Sequence, residues 1–205
     1  DLFSPHSEGH LIQRKLDLVG GLGCEINDIS MKLPLPVTVQ QHKEGKLIGF
    51  QMGASTPERC WPPEYFACVA NSLLQSSPTD KIVLIGGPGD RKHAEPFFRH
   101  LDGAFQSRVI NRIGDTGLPE LINIIGSLNL LLTGDTGPLH IAIAAKVPTL
   151  SLFVTANPHS TGPYQDKHLH DVIYAVQRKS NQNISHIMQL IEPDEVIATI
   201  KHKKI

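Results

Sequence analysis

The run TGDTGPLHIAIAA at 133–145 holds the densest set of chemically useful side chains in the sequence. It joins the apolar run 128–132 to an Ala- and Ile-rich segment through Asp135-Thr136-Gly137-Pro138, the pattern of a strand end, a tight loop and a helix start. Pro138 suits a first helical position, because the N–H it lacks would have no partner there. The backbone N–H groups of Thr136, Gly137 and Leu139 would then point outward at the positive end of a helix dipole, where an anion is stabilised. Thr136 adds a hydroxyl, His140 a ring N–H and Asp135 a carboxylate. That carboxylate constrains the ligand, since beside a diphosphate it repels. Asp135 is therefore expected to face a neutral group, such as sugar hydroxyls or the loop backbone, with Thr136, Gly137 and His140 toward phosphates. The pairing suggests a sugar joined to a diphosphate. Asp-Thr-Gly also marks aspartic proteases, where two such carboxylates share a proton. Here it precedes Pro and a helix in a βα chain, not an all-β one, and the protease reading is set aside.

Three other loops carry chemistry. GASTPERCWPP at 53–63 offers the Ser55 and Thr56 hydroxyls and the Arg59 guanidinium just before a helix. A planar guanidinium matches two phosphate oxygens at once; the alternative is an ordinary surface charge. In IGGPGDRKH at 85–93, Gly86, Gly87 and Gly89 allow close backbone approach. Asp90 either caps the following helix or accepts hydrogen bonds from a ribose. The spacing fits neither GxGxxG nor GxxxxGK[ST], which excludes a dinucleotide fingerprint and a P-loop. The loop IGDTGLPEL at 113–121 is a plain strand-to-helix turn or one wall of a base pocket, and spacing does not separate the two.

The elements that must position these loops alternate from residue 46 onward. Strands are predicted at 46–52, 81–85, 108–113, 128–133, 149–153 and 172–176, several of them continuous apolar runs, as expected of strands covered on both faces. Helices are predicted at 62–75, 90–101, 118–126 and 138–146, with 184–191 and 193–203 closing the chain. Such alternation predicts an α/β fold, a doubly wound Rossmann-like parallel sheet. In these sheets ligands bind off the carboxyl ends of the strands, so all four loops should line one crevice. Residues 1–45 differ: Ile12, Leu16 and Val19 have helical spacing, Gly20-Gly21 is a stop, and an irregular stretch with Pro34 and Pro36 follows. They are expected to be a helix and linker, with 46–205 as the domain.

Composition narrows the class. A length of 205 residues supports one well-packed domain, and a formal net charge of −1 gives no nucleic-acid-binding surface. Three cysteines without CxxC or metal spacing suggest reduced thiols and a cytoplasmic setting. No apolar run approaches the ~20 residues that span a bilayer. The start, DLFSPHSEGH, lacks a signal-peptide pattern and does not begin with Met, which suggests a processed or excised piece. Eleven histidines form no HExxH pair, so His6, His10 and most others are expected to be scattered surface residues, with no metal and no cofactor required.

Taken together, GASTPERCWPPEYF (53–66), KIVLIGGPGD (81–90), GDTGLPELINIIGSLNLLLTGDTGPLHIAIAAKVPTLSLF (114–153) and NPHSTGPYQ (157–165) resemble glycosyltransferase family 9, the ADP-heptose:lipopolysaccharide heptosyltransferases. The likeness is to the C-terminal, donor-binding half of their GT-B architecture, and residues 10–24 resemble the stretch leading out of the N-terminal domain. It implies that Ala54, Ser55 and Arg59 contact the donor phosphates and that Asp90 lies near the ribose. Thr116 would stand in an adenine-facing loop, and Asp135, Thr136, Gly137 and His140 would hold the sugar-diphosphate. The implied donor is ADP-heptose and the implied acceptor is inner-core lipopolysaccharide at the cytoplasmic face of the inner membrane, a peripheral setting without a transmembrane segment. The catalytic base would belong to the missing N-terminal acceptor domain, so this chain is expected to be inactive alone. Three features depart from the family pattern: Arg59 stands where Lys is usual, Val154-Thr155-Ala156 replaces Gly-Pro-Thr, and Gly114-Asp115-Thr116-Gly117 replaces a loop where Lys and Ser are common. Two other classes compete: a non-catalytic nucleotide-sugar-binding module and a GT-B-like sugar-nucleotide epimerase or hydrolase. The epimerase needs its own acid–base pair, for which Asp135 and His140 are the evident candidates.

Overall fold

Side-chain alternation along short apolar strands dictates a sheet covered on both faces. The computed structural model describes residues 9–34, 44–175 and 187–203. Strands β1 (Leu47–Gln51), β2 (Lys81–Ile85), β3 (Val109–Asn111), β4 (Leu130–Gly134), β5 (Thr149–Phe153) and β6 (His170–Tyr174) form one sheet, all pairs parallel, in the order β3-β2-β1-β4-β5-β6. This is the doubly wound Rossmann-like order expected from the sequence. Ile82 and Leu84 of β2 enter the larger core, which also holds Phe66 of helix α2 (Pro63–Ser76), Phe97 of α3 (Ala94–His100) and Val196 of the last helix, Pro193–His202. Val83 and Ile85 enter the opposite core with Ile125 of α4 (Leu118–Gly126) and Ala142 of α5 (Gly137–Ala144). Gly49 of β1 packs closely under Leu128, whose Cδ1 would lie 2.4 Å from a Cβ there and would have to shift.

The strand order places the site. From β1 the chain winds outward through β2 to β3, then returns across α4 to β4 on the other side of β1. The loops that leave the carboxyl ends of β1 and β4 therefore diverge around a crevice at this switch point. They are the loops that carry Arg59 and Asp135.

Several boundaries differ from the sequence expectation for local reasons. The predicted helix at 90–101 is a 3-10 turn over Pro88–His93 followed by the short α3, because the Asp90 carboxylate accepts the Gly87 N–H at 2.7 Å and closes a tight turn first. Strand β4 starts at Leu130, since the Leu128 N–H is still donated to the Ile125 carbonyl at the end of α4. Helix α5 stops at Ala144, and Lys146 turns the chain in the left-handed region at φ 57°. At the sheet edge, β3 is shorter than predicted, and β6 starts at His170. Residues 176 and 184–186 of the predicted elements lie outside the described residues, and Ile187–Leu190 form a 3-10 turn. Helix α1 (Leu11–Gly21) follows the helical spacing read from the sequence and buries none of its side chains fully.

Candidate functional site

Eight of the nine site residues named from the sequence line one cleft of about 500 Å³ at the switch point: Ala54, Ser55, Arg59, Asp90, Asp135, Thr136, Gly137 and His140. Thr116 is not among the lining residues. The loop after β1 makes a 3-10 turn over Pro57–Arg59, which carries Arg59 across the crevice to the loop after β4. There, Arg59 Nη2 donates to Asp135 Oδ2 at 2.5 Å and to the Asp135 carbonyl oxygen at 2.7 Å. With the Asp135 side chain only 14 % exposed, this is a half-buried ion pair. Asp135 thus has a charged protein partner, not only the neutral surroundings expected from the sequence, and the same guanidinium is the residue expected to meet phosphates. In the pair, Arg59 neutralises the carboxylate beside which an anion would sit.

The start of α5 is built from two threonines. Thr133 is fully buried and its hydroxyl donates to the Gly134 carbonyl at 3.0 Å; it therefore accepts from the Thr136 hydroxyl, also at 3.0 Å. This fixes Thr136 at the cap position of α5 without a side-chain cap bond, leaving Thr136 and Gly137 at the cleft. One turn on, His140 also lines the cleft. Burial pushes its imidazole below the ordinary value of 6.5, Asp135 pulls it back up, and His10 and Lys15 add to the lowering. A neutral ring at a half-buried helix start gains a proton readily when an anion arrives.

The two readings of Asp90 meet in one residue. Its carboxylate caps the Gly87 turn and also lines the cleft. It lies so close against the loop after β1 that a Cβ on Gly53 would stand 2.0 Å from the carboxyl carbon. The loop after β3 is held elsewhere: Arg91 donates to the Gly114 carbonyl at 2.8 Å and pairs with Asp115 at 2.7 Å, and the Gly114 N–H reaches the Gly86 carbonyl. Gly114 has φ +73°, and a Cβ there would meet Pro88 Cα at 2.8 Å. Thr116 follows this clamp, which accounts for its place off the cleft.

Sequence reasoning missed six cleft residues, His10, Leu11, Ile12, Gln51, Gly53 and Thr161, although the first had a legible signal: a helix starting at Leu11 needs an N-cap. His10 is not a scattered surface histidine. Its Nδ1 accepts the Ile12 N–H at 3.2 Å, so the neutral ring carries its proton on Nε2 and donates it to the Gly162 carbonyl at 3.0 Å. The ring also packs on Tyr164, with centroids 4.8 Å apart. This brings Leu11 and Ile12 to the cleft wall. His6 lies outside the described residues.

With this geometry in view, comparison with known proteins is specific. The model of glycosyltransferase family 9 (heptosyltransferase) matches residues 24–191. A lipooligosaccharide heptosyltransferase 2 of Haemophilus influenzae is 30% identical over 125 residues, 60% of this chain and 36% of that protein. The crystal structure of a family 9 glycosyl transferase from Veillonella parvula superposes with a TM-score of 0.77 at 25% identity, covering 96% of this chain and 60% of that one. The E. coli heptosyltransferase WaaC, solved with ADP, has the same fold at a TM-score of 0.70 and 17% identity, over 96% of this chain and 57% of that one. The chain thus spans between about a third and three fifths of the length of these relatives. A six-stranded parallel Rossmann-like sheet and a family match across most of the residues that build the cleft lead to one assignment: the chain belongs to glycosyltransferase family 9, the heptosyltransferases.

Proposed function

We propose that this chain is the donor-binding part of an inverting glycosyltransferase, with 46–205 as the donor domain and 1–45 as its connection to an acceptor-binding half. The donor is a nucleoside-diphosphate sugar, ADP-heptose, and the acceptor is of the lipopolysaccharide-core type, met at the cytoplasmic face of the inner membrane. One observation carries the reading: Arg59, Asp135, Thr136, Gly137 and His140 share one cleft at the start of α5. Arg59, the Thr136–Gly137 backbone, His140 and the Ala54-Ser55 loop take the phosphates. Asp135 takes sugar hydroxyls and Asp90 the ribose; Thr116, off the cleft, is given no part in holding the donor.

In the reaction, a base from the acceptor-binding half removes a proton from the acceptor hydroxyl, whose oxygen attacks the anomeric carbon as the bond to the diphosphate breaks. The negative charge that develops on the departing diphosphate falls on donors already in position. Preorganised charge of this kind is a large contributor to rate enhancement in enzymes. His140, which takes a proton from solvent when the diphosphate binds, completes the set as a charged donor. Titrating ADP-heptose into the isotopically labelled chain tests the reading. Amide shifts are expected to cluster at 53–55, 59 and 135–140; shifts confined to other surfaces, or none at millimolar ligand, would contradict it.

A further inference from the structure

Gln51 closes β1 at the switch point and lines the cleft floor, yet it is only 7 % exposed. By strand alternation it lies on the face of Gly49, the side of the sheet where Ile85 and Leu131 build an apolar core. An amide at such a place is unexpected. Its Nε2 donates to the Gly53 carbonyl at 3.1 Å, whereas Oε1 is buried and has no hydrogen-bond partner among the described residues. Turning the amide over would set two carbonyl oxygens against each other at Gly53, so the donated bond fixes which atom is left over. Buried polar atoms in native proteins are almost always paired, and one that is not calls for a cause.

We propose that Gln51 is a nucleotide-binding residue whose Oε1 accepts a hydrogen bond from a ribose hydroxyl; this rests on the cleft being a nucleoside-diphosphate site. A carbonyl oxygen repels phosphate oxygens and needs an O–H or N–H donor. Gly53, to which the Gln51 amide is tied, is also the residue pressed against the Asp90 carboxylate. Two acceptors therefore flank one residue of the cleft floor, and the two adjacent hydroxyls of a ribose supply the matching donors. The outer torsion of Gln is soft, so a small rotation brings Oε1 to the ligand.

Gln51→Met keeps the length and burial of the side chain and removes both amide atoms, and with them the unpaired oxygen. Because Met also removes the donor to the Gly53 carbonyl, the variant is expected to melt somewhat lower than the wild type but to stay folded, while its affinity for ADP falls about five- to tenfold, the size of one lost hydrogen bond. In the wild type, 2′-deoxy-ADP or 3′-deoxy-ADP should bind weaker than ADP by a similar factor, and in the variant that deoxy nucleotide should match ADP. A merely structural glutamine would not erase this difference. Unchanged ADP affinity in the variant overturns the proposal, as does a loss seen with ADP-heptose but not with ADP, which would put the hydroxyl on the transferred sugar. If the wild type binds none of these nucleotides, the donor-site reading itself fails and Gln51 falls with it.

Discussion

Arg59 and Asp135 are 76 residues apart and meet only because the strand order brings two loops together. Each alone suggests a different ligand; as a pair they make a neutral floor for an anion. Removing one partner of a half-buried pair leaves the other charge exposed to the ligand, so the two substitutions must be coupled. Arg59→Ala is expected to weaken ADP binding about tenfold or more, Asp135→Asn to leave it equal or tighter, and the double variant to lie closer to wild type than Arg59→Ala. Independent, additive effects would show that the pair is not the unit. Gly53 offers a second test, because its missing side chain is the space the Asp90 carboxylate occupies. Gly53→Ala should drive Asp90 off the Gly87 amide and lower stability by about 2 kcal/mol in denaturant unfolding. His140 supplies a third. Burial holds its imidazole below 6.5 in the empty cleft, and a diphosphate favours the charged ring. Binding should therefore take up protons and tighten as pH falls toward the free imidazole's value. Calorimetry in buffers of different ionisation enthalpy should register uptake near neutral pH that His140→Ala abolishes; equal uptake in the variant would remove His140 from the phosphate site.

At the scale of elements, the far end of the sheet carries its own titration. His170 starts β6, is 7 % exposed, and bonds through Nδ1 to the fully buried Thr149 of β5. Burial, and then the neighbouring Lys203 charge, depress its imidazole from 6.5 to about 4. Between these values the unfolded chain binds a proton that the folded chain refuses, so stability rises with pH across the window and is lost as pH falls from about 6.5 toward 4. The loss should be on the order of 2 kcal/mol, or about 5 °C in melting midpoint. His170→Gln should flatten that dependence; an unaltered slope would assign it to other groups. Elements also show what the sequence makes legible. Strands β2 and β5 and helix α4 match their predicted limits residue for residue, because each is an apolar run bounded by turn residues. The segment at 88–101 was harder, since its 3-10 start depends on a carboxylate folding back onto the Gly87 amide, a contact that periodicity does not carry. Likewise, the place of α1 follows from His10 reaching a carbonyl 152 residues away. Eight of the nine residues named from the sequence line the cleft because loop chemistry at strand ends is legible, while Gln51 was hidden by its resemblance to any strand terminus.

For the whole molecule, a family 9 chain that spans about a third to three fifths of the length of its relatives holds the cleft between the β1 and β4 loops. Among the described residues no helix is long and apolar enough to cross a membrane. Donor binding and transfer should therefore separate: this chain alone is expected to bind nucleotide and transfer no sugar, and joining it to a family acceptor-binding half should restore transfer. Transfer by the chain alone, tracked by release of ADP, would place the base within it. The cleft between the β1 and β4 loops is proposed as a nucleoside-diphosphate site selective for adenine. Titration calorimetry of the 205-residue chain with ADP, UDP and GDP tests it most directly. ADP should bind tightest, and Arg59→Ala and His140→Ala should each weaken it; no binding of any of the three at millimolar concentration, or UDP or GDP binding tighter than ADP, would contradict it.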